Sequence, residues 1–290
     1  MTGAQLFAAL PELVVGFVSG LLSGMFGIGG GIITTPAIRI LLGYPALVAV
    51  GTPLLVILPT TITGAWSYRR SGLTDIRAGL IVGAFGIPTA IVGAWATKFV
   101  GGTVVLLLTA ILILYVAGDV LWHAWRSRGD DAVRAREEGE EPVLASEEDG
   151  AAAADPREPS GVPSVAPALM TCAMLGLATG AYSGFLGLGG GFVLVPLLQR
   201  VAHMPIKRAI GTSLVAISLL AIPGVATHWA LGHIDLRLAL VLLVGSVPGA
   251  LLGARITRAS GDRTVRIAFA VLLLVVGVWM AVHEVGGLMK

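Results

Sequence analysis

The hydrophobic positions of this chain form long continuous stretches, and the polar positions gather in one region between them. Apolar windows cover residues 13–43, 46–68, 76–98, 102–122, 167–203, 209–231, 236–257 and 265–283. A helix that crosses the hydrocarbon core of a bilayer needs about 20 apolar residues, and these windows lack the alternation of β-barrel strands. The pattern predicts an all-α polytopic membrane protein.

Composition supports this prediction and excludes other classes. Of the 290 residues, 56% are hydrophobic and 12% are charged, whereas soluble domains have about 25% charged residues. No Lys or Arg precedes the first apolar window, so we expect no cleaved leader. The net charge of +2 comes from scattered residues, which predicts no nucleic-acid partner. The single cysteine, Cys172, excludes an intramolecular disulfide, and we expect it to be a small buried helix residue.

The chain repeats itself at an offset of 160 residues without a gap. Such self-similarity is the signature of two structural repeats, which we place at 10–125 and 167–285. The residues that recur include Ser23 and Ser183, the glycine clusters 27–31 and 187–191, Pro36 and Pro196, Gly51-Thr52 and Gly211-Thr212, Asp75 and Asp235, Arg77 and Arg237, and Pro88 and Pro248.

The repeats are joined by a polar stretch, residues 126–166. It holds 11 of the 17 acidic residues and four prolines. Low hydrophobicity and like charges predict a mostly disordered, solvated linker. Its simplest role is a tether, and the alternative is a regulatory or partner-binding segment.

The windows 13–43 and 167–203 are too long for one crossing, and a glycine cluster interrupts each of them. Each window is either one kinked crossing or a re-entrant hairpin followed by three further crossings. Hairpins would invert the second repeat relative to the first. They place 15 Lys and Arg residues on one side and four on the other, whereas kinked crossings divide them nine against ten.

Because cytoplasmic loops carry the positive excess, this comparison favours hairpins, a cytoplasmic linker and external termini. A further break in 46–68, at Pro53 and Pro59, would undo the count.

The glycine clusters predict a binding site. Non-helical backbone at membrane depth must face protein or a watery cavity, and a helix that starts there presents free N–H groups and about half a positive charge. Two inverted tips could meet near the midplane and bind one anion. The alternative is that these glycines only allow close packing.

Hydroxyls near the tips are candidate lining groups, although backbone bonding or capping is the alternative role for Thr52 and Thr212. Asp75 and Asp235 are expected to start helices. The predicted substrate-binding residues are Gly27, Gly29, Gly30, Gly31, Thr34, Thr52, Gly187, Gly189, Gly190, Gly191, Thr212 and Ser213.

No cluster of carboxylates, histidines or nucleophiles lies within the predicted spans, so we predict neither an enzyme nor a cofactor or metal site. Besides a permease and a membrane enzyme, the remaining hypothesis is a non-transporting sensor or adaptor that acts through the acidic linker. The sequence leaves the oligomeric state open, including a homo-oligomer.

Three elements resemble the TauE/SafE-type sulfite-exporter family of membrane permeases. They are Gly27-Ile-Gly-Gly-Gly31 with Pro36, its copy Gly187-Leu-Gly-Gly-Gly191 with Pro196, and Gly211-Thr-Ser-Leu214. The resemblance covers nearly the whole membrane portion, although Pro53 replaces the expected Ser in the first copy of the last element. It implies a permease in a prokaryotic plasma membrane that moves sulfite or another small sulfur-containing or organic anion.

Overall fold

A computed structural model describes residues 3–96, 108–122, 169–186 and 190–288, and these residues form helices without any strand. The linker 126–166 lies outside them. The helices are α1 (Gly3–Phe26), α2 (Gly31–Pro36) with a π-helical continuation (Ala37–Leu41), α3 (Ala46–Arg69), α4 (Ile76–Ala96), α5 (Leu108–Trp122), α6 (Leu169–Leu186), α7 (Gly191–Arg200), α8 (Ile206–Ala230), α9 (Leu236–Ala259) and α10 (Asp262–Leu288).

Among the described residues, six helices are long and apolar enough to cross a membrane. Their candidate spans are Ala9–Phe26, Leu47–Arg69, Ile76–Gly93, Ile206–Ala230, Leu236–Ala259 and Asp262–Val282. Large apolar side chains such as Val92, Val244 and Val275 are exposed on these helices. Such a surface requires lipid around it, and the prediction of an all-α polytopic membrane protein is confirmed.

Two pairs of helices in the bundle run parallel and pack with their backbones in close contact. On α1, methyl groups at Gly16, Gly20 and Gly24 would lie 2.3, 2.1 and 2.2 Å from the carbonyl oxygens of Leu242, Ser246 and Ala250 on α9. The residue numbers increase in the same order on both helices, so α1 and α9 run in the same direction. Glycines at every fourth position allow this close approach of backbones, as in other membrane helix pairs.

The second pair, α4 and α6, packs in the same way. Methyl groups at Gly176, Gly180 and Gly184 of α6 would lie 2.5, 2.0 and 1.9 Å from the carbonyl oxygens of Val82, Gly86 and Ala90. Each of these contacts matches one between α1 and α9 at an offset of 160 residues. The division into repeats 10–125 and 167–285 stays a prediction, which this correspondence supports.

The return helix after the first glycine cluster folds back along α1. Ser19 lies well before the end of α1, yet its hydroxyl contacts Thr34 in α2. Farther from the tip, the Tyr44 hydroxyl donates a 2.7 Å bond to Glu12 near the start of the span. In the second half, the Tyr182 and Phe192 rings lie 6.2 Å apart. In the first half, the contacts with Ser19 and Glu12 describe a hairpin rather than a single kinked crossing.

The helix α3 runs without a break through Pro53 and Pro59. Hydroxyls at Thr60, Thr61 and Thr63 donate to carbonyls one turn earlier, at Val56, Ile57 and Pro59, and such bonds help a helix to tolerate proline in a membrane. The further break considered for residues 46–68 is therefore absent.

The bundle has two ends, which we name by one residue each. The Glu12 end holds Glu12, Tyr44 and the start of α9 at Asp235, whose backbone N–H bonds Thr52. The Arg208 end holds the starts of α4 and α8, where Arg208 pairs with Asp75 at 3.1 Å. Since α6 runs parallel to α4 and α1 runs parallel to α9, α6 begins at the Arg208 end and α1 begins at the Glu12 end.

Candidate solute-binding site

The first glycine cluster makes a tight turn between α1 and α2. Gly30 has φ +83° and is the N-cap residue of α2. No side chain at this cap bonds the free amides of the first turn of the helix. A methyl group on Gly30 would lie 2.8 Å from Ser19 Oγ. Gly31 and Thr34 follow in the buried part of α2. This left-handed conformation and the close neighbour together require glycine at position 30.

Three serine and threonine hydroxyls surround this turn. Thr34 Oγ1 donates to the Gly30 carbonyl at 2.9 Å, and Ser19 Oγ reaches the same oxygen at 3.3 Å. Ser23 is 1% exposed, and its hydroxyl is buried without a hydrogen-bond partner. An unsatisfied buried hydroxyl is costly, which makes Ser23 a candidate to bond a solute at this turn.

The second half of the molecule reaches the first turn directly. A methyl group on Gly191, the first residue of α7, would lie 2.6 Å from the Gly27 carbonyl oxygen and 2.7 Å from Ile28 Cα. Ser213 of α8 donates a 3.0 Å bond to the Gly27 carbonyl. Gly27, Gly191 and Ser213 are therefore brought together, although Gly27 and Gly191 are 164 positions apart in the sequence.

Gly29 of the first turn lies level with the middle of two long helices. A methyl group on Gly29 would contact Ile217 at 2.9 Å and Ile57 at 3.6 Å, and these residues lie halfway along α8 and α3. Gly191 would meet Ile217 as well, at 2.5 Å. The contact between the two halves is thus deep in the bundle.

The second turn is described from Gly190 onward, and the predicted residues Gly187 and Gly189 lie outside the described part of the chain. Gly190 has φ +68° and caps α7, again without a side-chain bond to the cap. The Tyr182 hydroxyl donates to the Gly190 carbonyl. Sequence reasoning missed Tyr182 and Ser19, because neither belongs to the glycine clusters or to the repeated threonines.

The structure gives Thr52 and Thr212 hydrogen-bond partners outside the glycine turns. Both are fully buried, but Thr52 Oγ1 accepts a 3.1 Å bond from Asp235 N–H, and Thr212 Oγ1 accepts a 3.0 Å bond from Asp75 N–H. They bond backbone near opposite ends of the bundle, which is the alternative role considered for them.

Asp235 caps α9 through a 2.9 Å bond from Leu238 N–H, and Asp75 accepts a 3.0 Å bond from Ala78 N–H near the start of α4. The prediction that both aspartates start helices is confirmed. Cys172 is fully buried in α6 as a free thiol, so the prediction for that residue is confirmed too.

The chemistry at the turns is neutral. Among the described residues, the polar groups gathered there include backbone amides at two helix starts and the hydroxyls of Ser19, Ser23, Thr34, Tyr182 and Ser213. Within the described residues, no group of three or more His, Cys, Asp or Glu side chains could hold a metal ion. Such donors can replace the hydration shell of an anion without placing a fixed charge in the membrane.

Apolar helices with a lipid-compatible surface, arranged around buried helix starts, define a polytopic α-helical membrane protein. The family comparison identifies it further: the chain belongs to the sulfite exporter TauE/SafE family, whose model matches residues 13–280. The expected family membership is confirmed, and the chain is a membrane transporter.

Two curated relatives match this chain over nearly their whole lengths. The "Probable membrane transporter protein YunE" of Bacillus subtilis (strain 168) is 26% identical, over 91% of this chain and 94% of that protein. The "Probable membrane transporter protein MJ0441" of Methanocaldococcus jannaschii is 24% identical, over 93% of this chain and 95% of that protein. No solved structure is significantly similar to this chain.

Proposed function

We propose that this protein is a secondary transporter that moves a small anion, with sulfite or another sulfur-containing or organic anion as its solute. The observation that carries the proposal is the meeting of the two hairpins, where Gly191 at the start of α7 lies against Gly27 in the first turn. Both return helices begin at a left-handed glycine without a side-chain cap. The family description, a sulfite exporter, supports the class of solute.

In this proposal the anion binds the amides and hydroxyls of both turns. The residues involved are Gly27, Gly29, Gly30, Gly31, Thr34, Gly187, Gly189, Gly190, Gly191 and Ser213, together with Ser19 and Ser23. Thr52 and Thr212 enter it as positioning residues, since their hydroxyls already hold the backbone of Asp235 and Asp75. Movement of one half against the other would expose the site to each side in turn.

We also propose that the Arg208 end faces the cytoplasm of a prokaryotic cell. Of the 12 described Lys and Arg residues, only Arg39 and Arg237 belong to the Glu12 end. The remaining ten at the Arg208 end fit the positive excess of cytoplasmic loops, and the linker between α5 and α6 would share that side.

Labelling of single cysteines tests this orientation. In a Cys172→Ser background, Ser71→Cys should react with an impermeant maleimide only in inside-out vesicles, and Leu231→Cys only in right-side-out vesicles. The opposite pattern would reverse the assignment.

The direct test of function is uptake of labelled sulfite by proteoliposomes, with sulfate, thiosulfate, sulfoacetate and small carboxylates as competitors. Saturable uptake with selective competition supports the proposal. Gly30→Leu and Gly190→Leu should abolish it, because both fill space next to a hydroxyl. The matched control is Gly118→Leu, where a Cβ would meet nothing within 4 Å. Normal flux in both tip variants would contradict the site.

Deletion of residues 130–160 separates this function from the alternative of an adaptor. A transporter keeps its flux without the linker. Loss of the cellular phenotype together with unchanged flux in vesicles would assign a separate function to the linker.

A further inference from the structure

Glu12 is a buried carboxylate on α1, and the sequence patterns did not single it out. Its side chain is 7% exposed. One oxygen, Oε1, accepts a 2.7 Å hydrogen bond from the Tyr44 hydroxyl, and the other, Oε2, is buried without a hydrogen-bond partner. An ionisable side chain within a membrane span is costly and marks a functional residue by default.

Among the described residues, one cation lies within ion-pair reach of this carboxylate, at the start of α9. Arg237 Nη2 lies 4.0 Å from Glu12 Oε2, and the Arg237 side chain is 64% exposed. This pair is longer than a charge-assisted hydrogen bond, so it does not satisfy Oε2. The carboxylate therefore has one firm donor, Tyr44, and one loosely placed counter-charge.

Within the part of the chain that the structure describes, few other charged and titratable groups lie at the Glu12 end. From α9 and its cap come Arg237 and Asp235, and from the π-helix comes the exposed Arg39. The described side chains of α3 and α10 carry charge only at the Arg208 end. His228 and His233, whose rings lie 5.5 Å apart, belong to the same end of the bundle as Glu12.

The same place in the other half has no such group. At the offset of 160 residues, Glu12 corresponds to Cys172 and Tyr44 corresponds to Met204, both buried. The arginine that pairs with Glu12 does have an equivalent in the other half, because Arg237 corresponds to Arg77. The backbone contacts of the two halves match, but a carboxylate and its phenol donor stand at only one of the two equivalent positions. Packing alone does not need them there.

We propose that Glu12 is a proton-binding site through which anion transport is coupled to proton transport, and this inference rests on the proposed transport function. A proton from water bonds to Oε2 and makes the carboxyl neutral, while Tyr44 continues to donate to Oε1. Arg237 then loses its counter-charge, and the positive potential at the Glu12 end increases. An anion in the site between the turns binds more tightly when Glu12 is protonated and, by linkage, a bound anion strengthens proton binding.

The position of Glu12 lets its charge act on the binding turn. Tyr44 follows the return arm of the first hairpin, so the Glu12 bond ties the open end of the hairpin together. The Ser19 and Thr34 contacts join the same two arms next to Gly30. Protonation of Glu12 changes its hydrogen bond and ion pair at the open end of the hairpin. Because the two arms are packed together up to Gly30, this change can shift the glycine turn.

The test compares the proton response of sulfite transport in wild type and variants. In proteoliposomes with labelled sulfite as the probe, an inward proton gradient of one pH unit should raise the wild-type accumulation ratio about tenfold if one proton moves with each anion. Glu12→Gln should lose this increase, and Glu12→Asp, which keeps a carboxyl group, should retain part of it. Because sulfite ionises identically in every sample, the difference between variants isolates Glu12.

A matched control and a second readout guard against misfolding. Cys172→Ser, at the equivalent position of the other half, should keep the full gradient response. With purified protein in weak buffer, sulfite binding should take up protons in the wild type beyond a protein-free blank, and Glu12→Gln should remove that uptake.

The outcomes separate this inference from the proposed function. If the wild type moves no sulfite, the transport proposal and the coupling proposal both fail. If it moves sulfite without a response to the proton gradient, or if Glu12→Gln responds like the wild type, only the coupling proposal fails. A response to a sodium gradient that Glu12→Gln removes would overturn the assignment of the proton.

Discussion

Gly191 at the start of α7 lies against Gly27 in the turn after α1, so that a methyl group on Gly191 would stand 2.6 Å from the Gly27 carbonyl oxygen. This contact joins the two halves of the chain beside α8, between Ser213, which bonds the Gly27 carbonyl, and Ile217, which a methyl group on Gly191 would meet. Since backbone atoms form one side of it, the contact cannot be relieved by a side-chain rotation.

The first prediction concerns this contact. Gly191→Ala should lower stability by about 1–3 kcal/mol, the cost of overpacking a well-packed interior, and should lower sulfite flux at least about tenfold if the solute binds there. Gly118→Ala adds the same methyl group in open space on α5 and should be neutral or slightly stabilising. Thermal unfolding in detergent and vesicle flux measure both effects, and equal results for the two variants would remove the contact from the site.

The long-range organisation of this fold could be predicted from the sequence because it has a strong signal. Spanning helices need apolar windows of a length set by the bilayer, and Gly30 and Gly190 stand out because a turn with positive φ inside such a window needs glycine. Both caps lie within the predicted clusters.

Side-chain partners were harder to predict. Thr52 bonds the backbone of Asp235, 183 positions away, and local spacing carries no information about such a pair. Glu12 lies one residue before the first apolar window, where a carboxylate is typical of a helix boundary. Its burial depends on Tyr44 and on α9, which only the tertiary structure brings to it.

A second prediction tests the direction of the first return arm. In a Cys172→Ser background, the double variant Ser19→Cys/Thr34→Cys should form an intramolecular disulfide on mild oxidation, because these side chains are in contact. Mass spectrometry of the peptide that spans both residues detects the bond. Each single-cysteine variant provides the control. A single kinked crossing would carry Thr34 away from Ser19, and the double variant would then stay reduced.

A third prediction concerns the packing of α1 on α9. Gly20→Ala would place a methyl group 2.1 Å from the Ser246 carbonyl oxygen, and Gly180→Ala would place one 2.0 Å from the Gly86 carbonyl oxygen. Each should destabilise the protein by about 1–3 kcal/mol, by similar amounts because the contacts are equivalent. Val18→Ala, on the exposed face of α1, should change the melting temperature little. Unequal losses would argue against equivalent halves.

A fourth prediction uses the two buried threonines. Thr52→Val and Thr212→Val keep the shape of the side chain but remove the acceptor for Asp235 N–H or Asp75 N–H. An unpaired buried donor costs about 1–3 kcal/mol. Because the two sites lie near opposite ends of the bundle, the losses should add within about 0.5 kcal/mol in the double variant. If these threonines bound solute instead, the variants would lower flux without lowering the melting temperature.

The last prediction concerns alkaline pH and the loop before α3. Burial, followed by the hydrogen bond to Glu12, raises the pKa of Tyr44 from 10.0 to about 12. A group whose pKa is raised in the folded state stabilises the protein below its unfolded pKa, and this contribution is lost as the pH rises through the folded value. The Tyr44 contribution should therefore be complete below pH 10 and disappear towards pH 12.

Tyr44→Phe should be less stable than the wild type at neutral pH, because Glu12 loses its donor, and the difference should shrink as the pH approaches 12. Melting temperatures of both proteins across this range measure it, and a difference that grew with pH would show that Tyr44 ionises more readily in the folded protein.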